Sequence, residues 1–148
     1  MNFKRNWRAP VSGVACLAFV AWGGPAAADP IGTWMTQNGD ARVRVSHCGS
    51  ALCGTVVWLK EPKDAVTGKP ATDEHNADPR KRTRPLLGLR IMNGMRPSAT
   101  PDKWTGQFYN ADDGKSYDGS IVLTDARHLK AEGCLMVMCS AETWTRLK

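Results

Sequence analysis

The sequence predicts an all-β domain whose eight antiparallel strands close into an up-and-down barrel. Short runs of β-branched and aromatic residues recur between turn residues, and no segment keeps a helical period. An open sheet of eight such strands would expose an apolar face and two edges, whereas closure pairs the first strand with the last. A flattened β-sandwich of the same strands is the alternative architecture.

The predicted strands follow one another at short intervals. In residues 41–46 valines alternate with arginines, which predicts one buried face and one solvated face. Asn38-Gly39 and Asp113-Gly114 are typical of tight hairpin turns. The one long connection, residues 60–85, contains four prolines and many charges, and a loop of this length is either functional or disordered. The strands are predicted at residues 32–36, 41–47, 53–59, 86–95, 103–109, 116–124, 128–135 and 141–147.

Alternation along these strands also predicts which side chains point into the barrel. An eight-stranded barrel either fills its interior with side chains or admits one small ligand. The predicted interior positions are Val43, Val45, Val57, Leu87, Leu89, Ile91, Tyr117 and Ile121.

The first 28 residues have the order of a secretory signal peptide. Lys4, Arg5 and Arg8 precede an apolar run, and small residues end the segment at Ala28. The apolar run is shorter than the roughly 20 residues that a membrane span requires. We therefore predict cleavage near Ala28, export to the periplasm without a stable membrane anchor, and a single domain over residues 29–148.

Charge narrows the classes of partner. The predicted mature chain has 17 Lys and Arg residues against 14 Asp and Glu residues, which gives a formal charge of +3. This excess is too small to indicate nucleic-acid binding. We predict no nucleic-acid partner, and a monomer or weak dimer.

Four cysteines remain in the predicted mature chain, in two pairs of equal spacing. Cys48 and Cys53 flank one predicted turn, and Cys134 and Cys139 flank another. An even number of cysteines in an exported domain predicts two disulfides. Successive turns of an up-and-down barrel lie at alternate ends, so bonding within each pair is favoured over bonding between pairs. A redox-active thiol pair is the alternative, but its usual spacing is shorter.

The two ends of the predicted domain carry related motifs, Gly32-Thr33-Trp34 and Trp144-Thr145-Arg146. In a closed barrel the first and last strands are neighbours, so Arg146 can lie over the Trp34 indole in a cation–π contact that closes one end. A Gly-x-Trp on the first strand with an arginine late in the last strand resembles the calycin superfamily of lipocalins and fatty-acid-binding proteins.

A series of ordered motifs runs through nearly the whole predicted mature chain. They are Gly32-x-Trp34, Cys48 with Cys53-Gly54, Val57-Trp58-Leu59, Asp73-x-x-Asn76-x-Asp78, Arg82-x-Arg84-Pro85-Leu86-Leu87-Gly88-Leu89, Trp104-x-Gly106, Tyr109-Asn110-x-x-Asp113-Gly114-Lys115-x-Tyr117, Gly133-Cys134 and Trp144-Thr145-Arg146. This set resembles a bacterial family known as a domain of unknown function, numbered twenty-one forty-seven. Ala77 and Ala111 depart from the family pattern, which usually has proline there. The resemblance implies small exported proteins with a calycin-like barrel and supplies no reaction.

The predicted function is noncovalent binding of a small apolar or anionic molecule. The long loop, the turn at residues 112–115 and the second cysteine hairpin are expected to meet at the end opposite Trp34 and to form a mouth. There Arg82 or Arg84 would bind an anionic head group. Alternatively, these arginines pair with Asp73 and Asp78 and fix the loop. The residues assigned to the mouth are Asp73, Asn76, Asp78, Arg82, Arg84 and Tyr117.

The sequence leaves two alternatives to small-molecule binding, namely docking on a protein and copper binding. An envelope interaction module or inhibitor would dock on a partner protein through exposed aromatic residues such as Trp58 or Trp104. Copper binding by His47, Met136 and Met138 is a minor alternative, because disulfide formation would remove the neighbouring thiols.

Catalysis is not predicted. The three histidines are His47, His75 and His128, and none has a serine, cysteine or carboxylate partner in a recognisable motif. We therefore assign no catalytic residue, no metal ligand and no cofactor.

Overall fold

A computed structural model describes residues 29–148, and the predicted signal peptide lies outside the described residues. Each strand pairs antiparallel with the next in chain order, and the last pairs with the first to close the barrel. Trp34 faces Arg146 and Met35 faces Thr145 at this closure. The predicted up-and-down barrel is confirmed, and the sandwich alternative is excluded. The strands are β1 Gly32–Met35, β2 Ala41–Cys48, β3 Ala51–Leu59, β4 Arg90–Pro97, β5 Lys103–Asn110, β6 Lys115–Leu123, β7 His128–Leu135 and β8 Met138–Arg146.

The start of β4 differs most from the prediction. The run from residue 86 was expected to be strand, but the backbone N–H of Leu89 donates to the carbonyl of Leu86 at 3.0 Å. Gly88 supplies the positive φ of 87° that this turn requires. Leu87 is 51% exposed, so its predicted interior position is wrong. The apolar run closes the long loop, and the strand begins only at Arg90.

A β-bulge changes the interior face of β3. Val43 faces Val56, whereas the preceding Arg42 faces Trp58, so Val57 is the extra residue. Because a bulge reverses the alternation of side chains, Val56 is buried and Val57 is only half-buried. The interior position predicted at Val57 is therefore wrong and belongs to Val56.

An apolar core fills the barrel from the Trp34 end. The predicted interior residues Val43, Val45 and Ile121 are fully buried, Leu89 is buried, and Ile91 packs against the core. Met92 and Met95 occupy further interior positions, and Gly54 and Gly119 leave room for their side chains. The core consists of Trp34, Val43, Val45, Leu52, Met92, Met95, Ile121, Leu123, Leu129, Ala131 and Trp144.

Arg146 closes the Trp34 end of the barrel. Its guanidinium carbon lies 4.3 Å from the centre of the Trp34 ring. The same side chain donates hydrogen bonds to the backbone carbonyls of Ile31 at 2.7 Å, Asp29 at 2.7 Å and Ala126 at 2.9 Å. One arginine thus joins β8 to the segment before β1 and to the β6–β7 turn, while its charge lies against an aromatic face.

The connection between β3 and β4, residues 60–89, carries a 3₁₀ helix at Pro79–Lys81. Two isolated β-bridges, Lys63 with Pro70 and Thr72 with Pro85, give it local structure. Within residues 29–148, no helix is long and apolar enough to cross a membrane.

Both predicted disulfides are present. Cys48–Cys53 joins β2 to β3 with a Cα–Cα distance of 5.7 Å, and Cys134–Cys139 joins β7 to β8 with a Cα–Cα distance of 4.0 Å. The β2–β3 and β7–β8 turns lie at opposite ends of the barrel, as the alternation of turns requires. Each bond fixes one hairpin.

Loss of either disulfide is expected to lower the free energy of unfolding by about 2 kcal/mol, because each bond restricts a short loop in the unfolded chain. We expect the double replacement Cys48→Ala and Cys53→Ala to have the larger effect, since Cys53 is only 4% exposed whereas Cys139 is exposed. Urea unfolding without reductant measures both variants. Added reductant should lower the stability of the unaltered protein as well, and no change on reduction would contradict the prediction.

Candidate functional site

An open cavity of about 480 Å³ lies at the end of the barrel opposite Arg146. Small-molecule sites generally measure about 300–1,000 Å³, so this volume suits one small ligand. β8 has nine residues and β1 only four, so much of β8 lacks a β1 partner on this side. The cavity is lined by Thr36, Asn38, Asp40, Ile91, Phe108, Tyr109, Asn110, Asp112, Tyr117, Ala131, Glu132, Gly133, Ser140, Ala141, Glu142 and Trp144.

Small residues on β7 and β8 leave this space empty. Ala131, Gly133 and Ser140 line it where larger side chains would fill the barrel. Trp144, a core residue, and Phe108, which packs against the core, line the cavity where it meets the core, with ring centres 6.1 Å apart and planes at 75°. The cavity therefore has an aromatic floor above a packed core.

The charged residues that line the cavity are acidic. Asp40, Asp112, Glu132 and Glu142 belong to the lining, and no lysine or arginine does. Because Ala131 and Gly133 face the interior, Glu132 shares the outer face of β7 with Lys130, whose Nζ lies 3.2 Å from a Glu132 carboxylate oxygen, and this charge is therefore paired outside the cavity. The structure thus places carboxylates where the sequence predicted arginines.

Tyr117 lies at the rim and is the one predicted mouth residue that lines the cavity. Its hydroxyl donates a hydrogen bond to the carboxylate of Asp113. This bond lowers the pKa of Asp113 and raises the pKa of Tyr117. The phenol proton is therefore held at the turn, and the phenol oxygen can accept hydrogen bonds.

Asp73 organises the long loop from a fully buried position. Its carboxylate accepts hydrogen bonds from the Tyr109 hydroxyl at 2.6 Å, the Asn76 amide at 2.7 Å and the Arg84 Nε at 2.8 Å. Burial by itself raises the pKa of Asp73, but these hydrogen bonds outweigh it and hold the pKa below the ordinary value of an aspartate. An ionised carboxylate inside the loop thus ties the loop to β5.

The other predicted mouth residues join this loop. Asp78 accepts hydrogen bonds from the side chain and backbone N–H of Arg80, and Arg82 Nε donates to the carbonyl of Asn76 at 2.8 Å. The second of the two predicted roles, fixing the loop, describes these contacts, with Arg80 as the partner of Asp78. The structure brings Asp73, Asn76, Asp78, Arg82 and Arg84 together in the loop, and none of them lines the cavity.

The loop network also supports the cavity rim. The Tyr109 side chain that bonds to Asp73 belongs to a residue of the cavity lining. The β5–β6 turn packs directly on the loop, since a Cβ on Gly114 would overlap the backbone carbonyl of His75. Loop, turn and rim therefore form one packed unit.

Sequence reasoning missed most of the lining, including Phe108 and Glu142. One available signal was the alternation along β8, where Ser140, Glu142 and Trp144 share a face. If Trp144 points into the barrel, the same alternation predicts that Glu142 also faces the interior. Asp40 and Asp112 lie in turns, where no periodicity assigns a direction.

The outer surface differs from the docking hypothesis. Trp58 is half-buried beneath Arg42, whose guanidinium carbon lies 4.6 Å from the ring centre. Trp104 packs against the core and lines a second cavity of about 260 Å³ at the Arg146 end. The most exposed large apolar side chains among the described residues are instead Val137 at 95% and Met136 at 92%, at the tip of the β7–β8 hairpin, together with Val66 at 93% in the long loop.

The geometry does not support the minor copper alternative. His47 lies near the β2–β3 turn, whereas Met136 and Met138 lie at the β7–β8 turn at the other end of the barrel. The neighbouring cysteines are bonded as disulfides. No group of three or more His, Cys, Asp or Glu side chains in residues 29–148 is placed to hold a metal ion.

Comparison with known proteins agrees with this architecture. A solved structure described as protein HP1028 from the human pathogen Helicobacter pylori, of the lipocalin family, has a similar fold, with a TM-score of 0.68. The alignment covers 82% of this chain and 85% of that one at 19% identity, so the similarity is one of fold. No curated protein matches the chain significantly in sequence. The family described as "uncharacterized protein conserved in bacteria" matches residues 32–146, and the chain therefore belongs to this family, DUF2147.

Proposed function

We propose that this protein is exported to the periplasm and binds one small, partly apolar molecule noncovalently in the cavity at the mouth of its barrel. The observation that carries the proposal is the open space of about 480 Å³ with an aromatic floor and a polar rim. Two disulfides and the basic and apolar start of the chain support export. The lipocalin-like fold supports binding only by analogy.

The lining favours binding over chemistry. Histidine, cysteine and lysine do not occur among the lining residues, and Ser140, the serine of the lining, has no hydrogen-bonded base within residues 29–148. Of the histidines, His128 contacts Asp125 at 2.8 Å on the surface, and His75 and His47 are exposed. The groups that face the cavity can hold a ligand by apolar contact and hydrogen bonding.

Filling the cavity is expected to weaken binding of a neutral apolar dye, N-phenyl-naphthylamine, whose fluorescence rises on transfer from water. A Cβ on Gly133 would lie 3.5 Å from the Cβ of Tyr117, an ordinary contact, so Gly133→Leu can fill the cavity without a backbone clash. We expect the unaltered domain to give a saturable one-to-one titration. The affinity should fall at least about ten-fold in Gly133→Leu, since the ligand then has no space.

Thr105→Leu is the matched control, because it adds the same side chain at an exposed position of β5 outside the cavity. Its affinity for the dye should equal that of the unaltered domain. Absence of saturable binding, or equal binding in Gly133→Leu, would contradict the proposed function. Native mass spectrometry of protein purified from a periplasm would then identify any ligand that the protein carries.

Docking on an envelope protein is the second candidate function, and the exposed hairpin tip favours it. Met136, Val137 and Met138 are exposed by 78% or more, and the Cys134–Cys139 disulfide holds the neck of the hairpin. Exposed apolar residues at a rigid tip are typical of a contact surface. A dye titration without saturable binding would favour this candidate over the cavity.

A further inference from the structure

The polar groups of the cavity define the charge of a suitable ligand. Asp40, Asp112 and Glu142 have no lysine or arginine partner among the salt bridges of residues 29–148, and Glu132 is paired with Lys130 outside the cavity. The predicted mature chain has more basic than acidic residues, so its composition does not explain why every charged residue of the lining is acidic. An anionic ligand would meet uncompensated negative charge here, whereas a cation would be attracted.

The aromatic lining residues have already used their hydrogen-bond donors. The indole N–H of Trp144 donates to Glu142, the hydroxyl of Tyr117 donates to Asp113, and the hydroxyl of Tyr109 donates to Asp73. Toward a ligand, the charged and aromatic residues of the lining thus offer acceptors, namely carboxylate oxygens and the phenol oxygen of Tyr117, while the side chains of Asn38, Asn110 and Ser140 can donate or accept. Such a site satisfies a ligand that donates hydrogen bonds.

The same aromatic rings can contact a cation directly. Phe108, Tyr117 and Trp144 line the cavity with rings whose faces attract an ammonium group, whereas the Tyr109 ring is already contacted by the Arg84 guanidinium, 5.4 Å from its centre. Carboxylates around aromatic rings therefore combine two attractive interactions for one ligand charge. The apolar floor formed by Phe108 and Trp144 suits an apolar body attached to that charge.

From this lining we infer that the cavity selects a protonated amine with an apolar body and rejects the corresponding carboxylate. The inference rests on the proposed function and specifies its ligand class. It replaces the anionic ligand that Arg82 and Arg84 suggested, because both arginines belong to the loop network.

Displacement of N-phenyl-naphthylamine by octylamine, octanol and octanoate at neutral pH tests this selection, since the three share one alkyl chain. We expect octylamine to bind about ten-fold more tightly than octanol and octanoate to bind more weakly than octanol. Added salt should weaken the binding of octylamine and leave that of octanol nearly unchanged. Octyltrimethylammonium, which lacks N–H donors, should fall between octylamine and octanol.

The double variant Glu142→Gln and Asp112→Asn removes two charges and keeps the acceptor for the Trp144 N–H. It should lower octylamine affinity about ten-fold and leave octanol affinity unchanged, whereas a merely structural role would weaken both. Asp118→Asn, at an exposed position outside the lining, is the control. Octanoate or octanol binding as tightly as octylamine would overturn the inference and leave the proposed function intact. Failure of the dye and all four ligands to bind would overturn the proposed function itself.

Discussion

Replacement of Asp73 by asparagine is expected to lower the free energy of unfolding by about 3 kcal/mol, because removing one partner of a buried ion pair leaves the other uncompensated. The carboxylate is fully buried and accepts hydrogen bonds from Tyr109, Asn76 and Arg84. Arg84 is 37% exposed, which keeps the loss at the lower end for such pairs. Urea unfolding measures the effect, and hydrogen exchange should show faster opening of residues 60–89.

Asp78→Asn is the matched control in the same loop. Asp78 pairs with Arg80, whose side chain is 89% exposed, so we expect a loss below about 1 kcal/mol. The double variant Asp73→Asn with Arg84→Met should lose less unfolding free energy than the sum of the losses in the two single variants. In the double variant neither residue is left as an unpaired charge. Equal losses for Asp73→Asn and Asp78→Asn would contradict the assigned role of Asp73.

The contribution of Asp73 also predicts a pH dependence. Its pKa in the folded protein lies below its ordinary value, so the unfolded chain takes up the proton first as the pH falls. The stability that the carboxylate contributes is therefore complete near neutral pH and is lost below about pH 4. The difference in unfolding free energy between the unaltered protein and Asp73→Asn should shrink over this acid range. A difference that stays constant down to about pH 2 would contradict this assignment.

Arg146→Ala, at the other end of the barrel, is expected to lower the free energy of unfolding by about 3 kcal/mol. The change removes the cation–π contact with Trp34 and three hydrogen bonds to backbone carbonyls. A desolvated cation–π contact contributes about 2 kcal/mol, and carbonyls left without a donor add to the loss. Urea unfolding measures the stability, and near-ultraviolet circular dichroism reports the surroundings of Trp34.

The variant Arg146→Lys tests whether the positive charge alone or the planar guanidinium group is needed at this position. The lysine keeps the positive charge but cannot donate to three separate carbonyls from one planar group, so we expect an intermediate loss. Arg44→Ala, on the exposed face of β2, should change stability by less than about 0.5 kcal/mol. An equally small effect of Arg146→Ala would show that the closed end does not depend on this side chain.

Prediction from sequence succeeded where the signal is local or follows from counting strands. The alternation in residues 41–46 predicted β2, with Val43 and Val45 buried. Closure into a barrel then followed from the number of strands and the need to remove sheet edges, and it brings Trp34 and Arg146 into register. The disulfides followed from the alternation of turns between the two ends.

Prediction failed where one backbone irregularity changes the outcome. Leu86 and Leu89 look like strand residues, but the turn at Gly88 places them at the end of the loop. Val57 was placed inside because alternation was continued through a bulge that local sequence does not reveal. At the bulge, a shift of a single residue moves a side chain to the other face of the sheet.

The sequence was sufficient to predict the strand order and the pairing of the cysteines and to favour closure over a sandwich, because each depends on residues close together in the chain or on the number of strands. The charge of the cavity, by contrast, could be assigned only from the folded barrel. Its unpaired carboxylates come from the β1–β2 turn, the β5–β6 turn and β8, which are far apart in sequence and meet only when the barrel closes. The role of Arg84 likewise depends on contacts between distant residues. Asp73 binds Arg84, eleven positions later in the chain, and also accepts a hydrogen bond from Tyr109 on β5.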